Sequence, residues 1–199
     1  ADPVLRPLYD SIIFIEQPLD RGKSLDPTLT RSIGDIPQQK PMIIDESDGD
    51  LGTFLKAVEV GYKGVSTKNC KGLIKAIANQ ALARHFGETY FLTGEDLMNL
   101  PVVPLHQDMV HLAALGIRHA ERNGHHYVHG LDHLSDSERR VCQERHGHIY
   151  GSCGDGLALK VADGRIDLRS LQEPGLGVSN AVDLRSMVPL DEWRYDSLG

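Results

Sequence analysis

Short apolar runs alternate with longer amphipathic segments along the first two thirds of the chain. Five short runs, several of them rich in β-branched side chains, predict strands at residues 11–15, 41–44, 62–67, 90–93 and 125–128. Longer segments, amphipathic or rich in alanine, predict helices at residues 27–33, 51–60, 73–86 and 105–115. Predicted strands and helices therefore follow one another in regular order.

This alternation indicates a parallel sheet covered by helices, because parallel neighbours need a crossover connection. The predicted strands recur roughly every 25–30 residues, which is the length of one β/α unit of a barrel. A complete eight-stranded barrel needs about 250 residues, whereas this chain offers about five such strands. The sequence therefore predicts an α/β fold that corresponds to the C-terminal part of a (β/α) TIM-type barrel.

The pattern changes after about residue 134. A charged helix is predicted at residues 135–144, with Ser135 as its N-cap, and a hairpin at 157–168 turns at Asp163-Gly164. We therefore expect two segments: a partial barrel at 1–134, and a C-terminal helix, hairpin and extension at 135–199.

Composition and charge exclude several classes of partner. The 199 residues carry a formal net charge of −7 without any run of five basic residues, so no nucleic-acid partner is expected. No apolar stretch approaches the roughly 20 residues of a membrane span. There are only three cysteines, and an odd number cannot all pair within the chain, which argues against a disulfide framework and indicates a reducing compartment. We expect a cytoplasmic protein that binds neither nucleic acid nor membrane.

Three predicted strands end in an ionisable residue: Glu16, Asp45 and Lys68. In a barrel the residues at the carboxyl ends of neighbouring strands point into one shared mouth, where active sites lie. Two carboxylates from adjacent strands form a hard, oxygen-rich site that suits Mg²⁺. A lysine beside that cation, partly removed from water, has a lowered pKa and suits general-base work. The spacing therefore predicts Mg²⁺ at Glu16 and Asp45, with Lys68 as the acid/base residue.

The segments FIEQPL at residues 14–19, IIDES at 43–47 and GVSTK at 64–68 form an ordered set of motifs. The first two resemble the metal-ligand strands of the enolase superfamily, which includes mandelate racemase and muconate-lactonizing enzymes. The third is similar to the strand that carries the acid/base lysine of that superfamily. Residues 164–166 and 174–177 resemble its C-terminal strands, which return to an N-terminal capping domain.

The resemblance implies Mg²⁺-dependent abstraction of a proton α to a carboxylate, followed by racemisation, elimination or cycloisomerisation. It implies a small carboxylate substrate, such as a sugar acid, an amino acid or a dipeptide. The third metal ligand, a second acid/base residue and the capping domain are then expected upstream of Ala1. We therefore expect a C-terminal piece that is inactive alone. Because an open half-barrel leaves strand edges unpaired, we also expect it to self-associate or to pair with a missing half.

Neighbouring residues leave alternatives open. Glu46 and Asp48 are alternatives to Asp45 as the metal ligand, although alternation along a strand puts Asp45 and Glu46 on opposite faces. Lys71 and Lys75 are expected to be surface lysines, at the start of a helix and on its polar face.

Two further residues are candidates for catalytic roles. Glu95 follows the fourth predicted strand and either orients substrate or is a solvated loop acid, while His129 falls near the mouth of the last predicted strand. A different barrel enzyme with a Zn²⁺ site is an alternative, with ligands among His125, His126, His129 and His133. The other alternative is a catalytically silent fragment that serves only in assembly.

Overall fold

The structure is a computed structural model that describes residues 2–33, 35–96, 99–122, 129–178, 185 and 187–195. The chain forms two compact units: Ala1–Asn99 with His111–Gly124, and Leu100–Val110 with His125–Gly199. This grouping differs from the predicted division at residue 134, because residues on both sides of that position belong to the second unit. Within the described residues, no helix combines the length and apolar character that crossing a membrane requires.

Five parallel strands form one sheet in the first unit, in chain order: β1 Ile15–Glu16, β2 Met42–Ile44, β3 Gly64–Thr67, β4 Phe91–Asp96 and β5 Ala120–Arg122. The register pairs Glu16 with Ile43 and Ser66 with Thr93. The sheet is curled like half of a barrel. The predicted α/β fold with parallel strands is confirmed, whereas the identity of this sheet as part of a TIM barrel stays a prediction.

One helix precedes the first strand, and five helices connect the strands that follow: α1 Arg6–Ser11, then α2 Pro27–Ser32, α3 Ile36–Gln39, α4 Thr53–Glu59, α5 Leu73–Phe86 and α6 Val103–Leu115. Helix α5 has the predicted bounds. It lies between Gly72 and Gly87, whose φ angles of 101° and 106° favour glycine and stop the helix at both ends. The last residues of α6 belong to this unit, and its first residues belong to the second.

The first predicted strand is shorter than expected. Ser11 ends α1 instead of starting a strand, and Ile13 is 63% exposed, so the run at 11–15 is not fully buried. Pairing begins at Ile15, whose N–H donates to the carbonyl of Pro41. Pro41 has no N–H of its own for the ladder, which explains why β2 starts only at Met42.

The last two strands of the sheet also differ from the prediction. Strand β4 continues past Thr93 to Asp96, because Gly94 and the residues after it pair with β5. The fifth strand lies at Ala120–Arg122, which the sequence pattern did not mark. The strand predicted at 125–128 lies outside the described residues.

The second unit contains helix α7 at Asp136–His146 and a hairpin of β6 Tyr150–Cys153 with β7 Gly156–Leu159. Ser135 caps α7 as predicted, and its side chain and that of Glu138 satisfy each other's backbone N–H groups. The predicted hairpin is wrong, because β7 pairs with the strand before it, β6, across a turn at Gly154, and not with the segment after it.

The predicted turn at Asp163-Gly164 does exist. Both residues have positive φ angles, of 50° and 69°, as a two-residue hairpin turn requires. Only a single bridge, between Ala162 and Arg165, joins the segments beside it. The local turn signal was therefore correct, but it did not reveal which strands pair.

A buried polar network lies in the core of the second unit. His106 Nδ1 lies 3.1 Å from the carbonyl oxygen of Gly177, and Nε2 lies 2.9 Å from the hydroxyl of Tyr150. Because a carbonyl can only accept, Nδ1 carries the proton and Nε2 accepts from Tyr150. Burial, and then the neighbouring His146, lower the pKa of His106 to about 4. His106 is therefore neutral in the folded protein.

We expect acid to destabilise the second unit through His106. Between pH 6.5 and 4 the unfolded chain binds a proton at this residue and the folded chain does not, so stability falls as pH falls. The loss of unfolding free energy is up to about 3 kcal/mol over that range. Urea unfolding from pH 7 to 4 measures it. His106→Gln should flatten the pH profile, while the control His85→Gln, at an exposed position, should leave it unchanged.

Candidate metal centre

The carboxyl ends of β1 to β4 bring four predicted site residues together. Glu16 ends β1, Asp45 and Lys68 directly follow β2 and β3, and Glu95 lies near the end of β4. Glu16, Asp45 and Glu95 each offer a carboxylate oxygen, and these oxygens all lie within 4.8 Å of one another. Residues far apart in sequence meet here because neighbouring parallel strands end at one edge of the sheet.

The ammonium group of Lys68 lies between two of these carboxylates. Its Nζ is 2.8 Å from Asp45 Oδ2 and 2.8 Å from Glu95 Oε2, and the residue is only 8% exposed. Ser66, two residues earlier on the same strand face, donates its hydroxyl to Glu95 Oε2 at 3.2 Å. Glu95 is therefore a member of the cluster and not a solvated loop acid.

The pKa of Lys68 is raised in this arrangement. Burial is the largest influence and lowers the pKa, but the hydrogen bonds and charges of Asp45 and Glu95 together outweigh it. The sequence predicts a lowered pKa, from a cation beside the amine and from burial. In the structure, the two carboxylates that contact the amine hold the proton on Lys68.

Lys71 is not the surface lysine that the sequence suggested. Its Nζ donates to Asp45 Oδ1 at 2.6 Å and to the backbone carbonyls of Asp45 and Ser66, at 2.8 Å each. All three of its protons are therefore used, and its side chain is 14% exposed. A 3₁₀ turn at Asn69–Lys71 carries the side chain back over the strand ends. The sequence signal for this turn is Gly72, which takes a φ of 101°.

Asp45 is the one of three neighbouring acids that joins the cluster. Glu46 is exposed, and the buried Asp48 instead faces helix α5, where Lys75 Nζ lies 3.1 Å from its Oδ2. Asn79 on the same helix donates to that oxygen at 3.4 Å. The prediction that Lys75 is a surface lysine is therefore also wrong. Both lysines face inward because the loop after β2 places Asp45 beside Lys71 and Asp48 beside Lys75, near the start of α5.

The crowded carboxylates perturb one another. Burial, and then the charges of Glu95 and Asp45, raise the pKa of Glu16 to about 7, although Lys68 opposes the shift. Burial also works against the charge on Asp45, but hydrogen bonds from Lys68 and Lys71 lower its pKa overall. Among the described residues, Lys68 therefore offsets the like-charge repulsion on Glu16 less fully than Lys68 and Lys71 together offset that on Asp45, and a bound cation would relieve it.

The predicted catalytic residue His129 belongs to the second unit. It lines a cavity of about 390 Å³ with Asp132 and Cys153. His133 Nε2 lies 2.6 Å from the carbonyl of Pro101, while His125 and His126 lie outside the described residues. Among the residues that the structure describes, the converging set of three or more possible metal ligands is the carboxylate group of the first unit. The zinc hypothesis stays a prediction.

No family model, curated protein or solved structure matches the chain. The resemblance to the enolase superfamily therefore rests on the sequence segments quoted above.

We expect Lys71→Met to destabilise the first unit. The substitution keeps the apolar stem but leaves the backbone carbonyls of Asp45 and Ser66 without their donor, which costs about 2 kcal/mol of unfolding free energy. Urea unfolding at neutral pH without added metal measures the loss. Lys56→Met is the matched control at an exposed helix position and should change stability by less than about 0.5 kcal/mol. Equal stabilities of the two variants would contradict the inward role of Lys71.

Proposed function

We propose that the first unit binds a divalent cation, Mg²⁺, through Glu16, Asp45 and Glu95. We further propose that Lys68 transfers a proton at the carbon beside the carboxylate of a small acid. Racemisation, elimination or cycloisomerisation of a sugar acid, an amino acid or a dipeptide fits this chemistry. The observation that carries the proposal is the convergence of three carboxylates and one amine at successive strand ends.

The donor set fits the proposed ion. Carboxylate oxygens are the ligands that Mg²⁺ prefers, at about 2.1 Å, so ligands on opposite sides of the ion lie about 4.2 Å apart. Three ligands of one octahedral ion include pairs at adjacent positions, which lie about 3 Å apart, so the three oxygens, now within 4.8 Å of one another, must move closer by up to about 2 Å. A bound Mg²⁺ would supply positive charge for the substrate carboxylate and for the negative charge that develops as the proton leaves.

Lys68 is suited to move a proton at this position. Asp45 and Glu95 are the groups that hold its proton, and a cation that takes up their charge weakens that hold. Burial then remains and favours the neutral amine, which is the form that acts as a base. Glu95 keeps its hydrogen bond from Ser66, which orients the carboxylate when Lys68 no longer does.

We expect the chain to bind Mn²⁺, used as a detectable substitute for Mg²⁺, in a titration followed by electron paramagnetic resonance. Asp45→Asn and Glu95→Gln each remove one charged ligand and should weaken binding by more than about tenfold. The control Glu59→Gln changes an exposed acid on α4 and should bind as the unaltered chain does. Binding that is insensitive to both site substitutions would refute the metal centre. Zinc retained in place of Mn²⁺ would favour the histidine alternative.

We expect α-proton exchange to depend on Lys68. The full-length protein that the resemblance implies, loaded with Mg²⁺ in D₂O, is incubated with a panel of sugar acids, amino acids and dipeptides, and deuterium at the α-carbon is measured by mass spectrometry. Lys68→Ala should abolish any exchange, since it removes the amine, yet keep or tighten metal binding, since it removes a competing positive charge. Lys56→Ala is the control. Exchange that survives in Lys68→Ala would refute the assigned role.

A further inference from the structure

We infer that Gln17 is a positioning residue that fixes the two ligand-bearing strand ends, β1 and β2, against each other. The inference rests on the proposed metal centre and adds to it a residue that touches neither the metal nor the substrate. Gln17 directly follows Glu16, and its side chain contacts the backbone of Asp45 on the neighbouring strand. One side chain thus connects both proposed ligands.

The side-chain amide of Gln17 replaces a missing step of the strand ladder. The N–H of Gln17 donates to the carbonyl of Ile43 at 2.8 Å, as regular parallel pairing requires. The next step of that pairing would join the N–H of Asp45 to the backbone carbonyl of Gln17. Instead, the side-chain oxygen of Gln17 accepts from Asp45 N–H at 3.0 Å and from Ser47 N–H at 2.9 Å.

The backbone conformation at Gln17 explains why its side-chain oxygen, and not its backbone carbonyl, accepts from Asp45. Its φ of 28° lies in the left-handed region, which residues with a Cβ seldom adopt. The positive φ turns the chain out of the extended strand directly after Glu16, and Pro18 has no N–H with which to resume the ladder. A strained residue of this kind persists only where its surroundings hold it. Here the holding contacts are its bonds to the β2 loop, including the donation from Nε2 to Glu46 Oε2 at 2.5 Å.

The contacts of Asp45 show what the side chain of Gln17 contributes. Lys71 holds its backbone carbonyl and Oδ1, Lys68 holds Oδ2, and Gln17 holds its N–H. The two lysines come from the β3 side, so Gln17 supplies the hold from the β1 side. Without it, the Ser47 hydroxyl still donates to the carbonyl of Arg21 at 3.2 Å, but the described bonds that reach Asp45 from outside its own loop come from the β3 side. The distance between the Asp45 and Glu16 carboxylates is then less closely fixed.

The test compares Mn²⁺ binding by Gln17→Met with binding by the unaltered chain. Methionine keeps the length of the side chain and removes the amide, so we expect Mn²⁺ affinity to fall by about tenfold or more, as for other residues that orient metal ligands. The matched control is Gln80→Met, which removes an amide that donates to the carbonyl of Leu115 at 2.8 Å. Gln17→Glu, made throughout together with Glu46→Gln so that a donor still faces the new carboxylate, keeps an acceptor oxygen for Asp45 and Ser47 and should bind Mn²⁺ at least as tightly as the unaltered chain.

A metal-free measurement separates this inference from the proposed function. Hydrogen exchange at the amides of Asp45 and Ser47 should be slow in the unaltered chain and in Gln17→Glu, and fast in Gln17→Met. If Gln17→Met does not fold, Gln17→Gly replaces it, because glycine adopts the positive φ without strain.

The outcomes distinguish the two ideas. If the unaltered chain binds Mn²⁺ and Gln17→Met binds it equally well, the positioning role is overturned and the metal centre stands. If the unaltered chain binds no Mn²⁺, the metal centre falls, and hydrogen exchange at the amides of Asp45 and Ser47 alone decides whether Gln17 fixes β1 against β2. Weaker binding by Gln17→Met that Gln17→Glu restores, with the amides of Asp45 and Ser47 exposed only in Gln17→Met, supports both.

Discussion

Mutual repulsion among three carboxylates at one edge of a parallel sheet is the constraint on which the arrangement of the first unit depends. Glu16, Asp45 and Glu95 lie close enough that their charges cannot all be left unbalanced in a partly buried site. Two ammonium groups, from Lys68 and Lys71, supply the balance. The remaining repulsion falls on Glu16, whose raised pKa of about 7 means that a proton partly neutralises it near neutral pH.

The two lysines balance this charge in different ways. Lys71 uses all its protons on one carboxylate oxygen and two backbone carbonyls, so it acts as a fixed part of the strand ends. Lys68 contacts only carboxylates in the bonds that the structure describes, so a cation at the proposed metal centre would compete with it for them. Under the proposed function, Lys71 would keep Asp45 in place while Lys68 gave up its contacts.

The second unit treats its buried polar groups in the opposite way. His106, Tyr150 and the carbonyl of Gly177 form a neutral chain of hydrogen bonds, in which burial and the nearby His146 keep the imidazole uncharged. Neutral partners satisfy one another without any demand for an ion. The first unit thus concentrates charged groups at its strand ends, while the second keeps the buried imidazole of His106 neutral.

Sequence alone determined the alternation of strands and helices, the bounds of α5 and the cap at Ser135, because periodicity, glycines and capping residues act locally. It also identified Glu16, Asp45, Lys68 and Glu95 as residues at strand ends. Tertiary structure decided that Ala120–Arg122 is the fifth strand, that β7 pairs with β6, and that Lys71, Lys75 and Gln17 turn inward. These outcomes depend on contacts between residues that are distant in sequence. The sequence around a lysine or glutamine does not indicate whether its side chain will face water or a buried polar group from another strand.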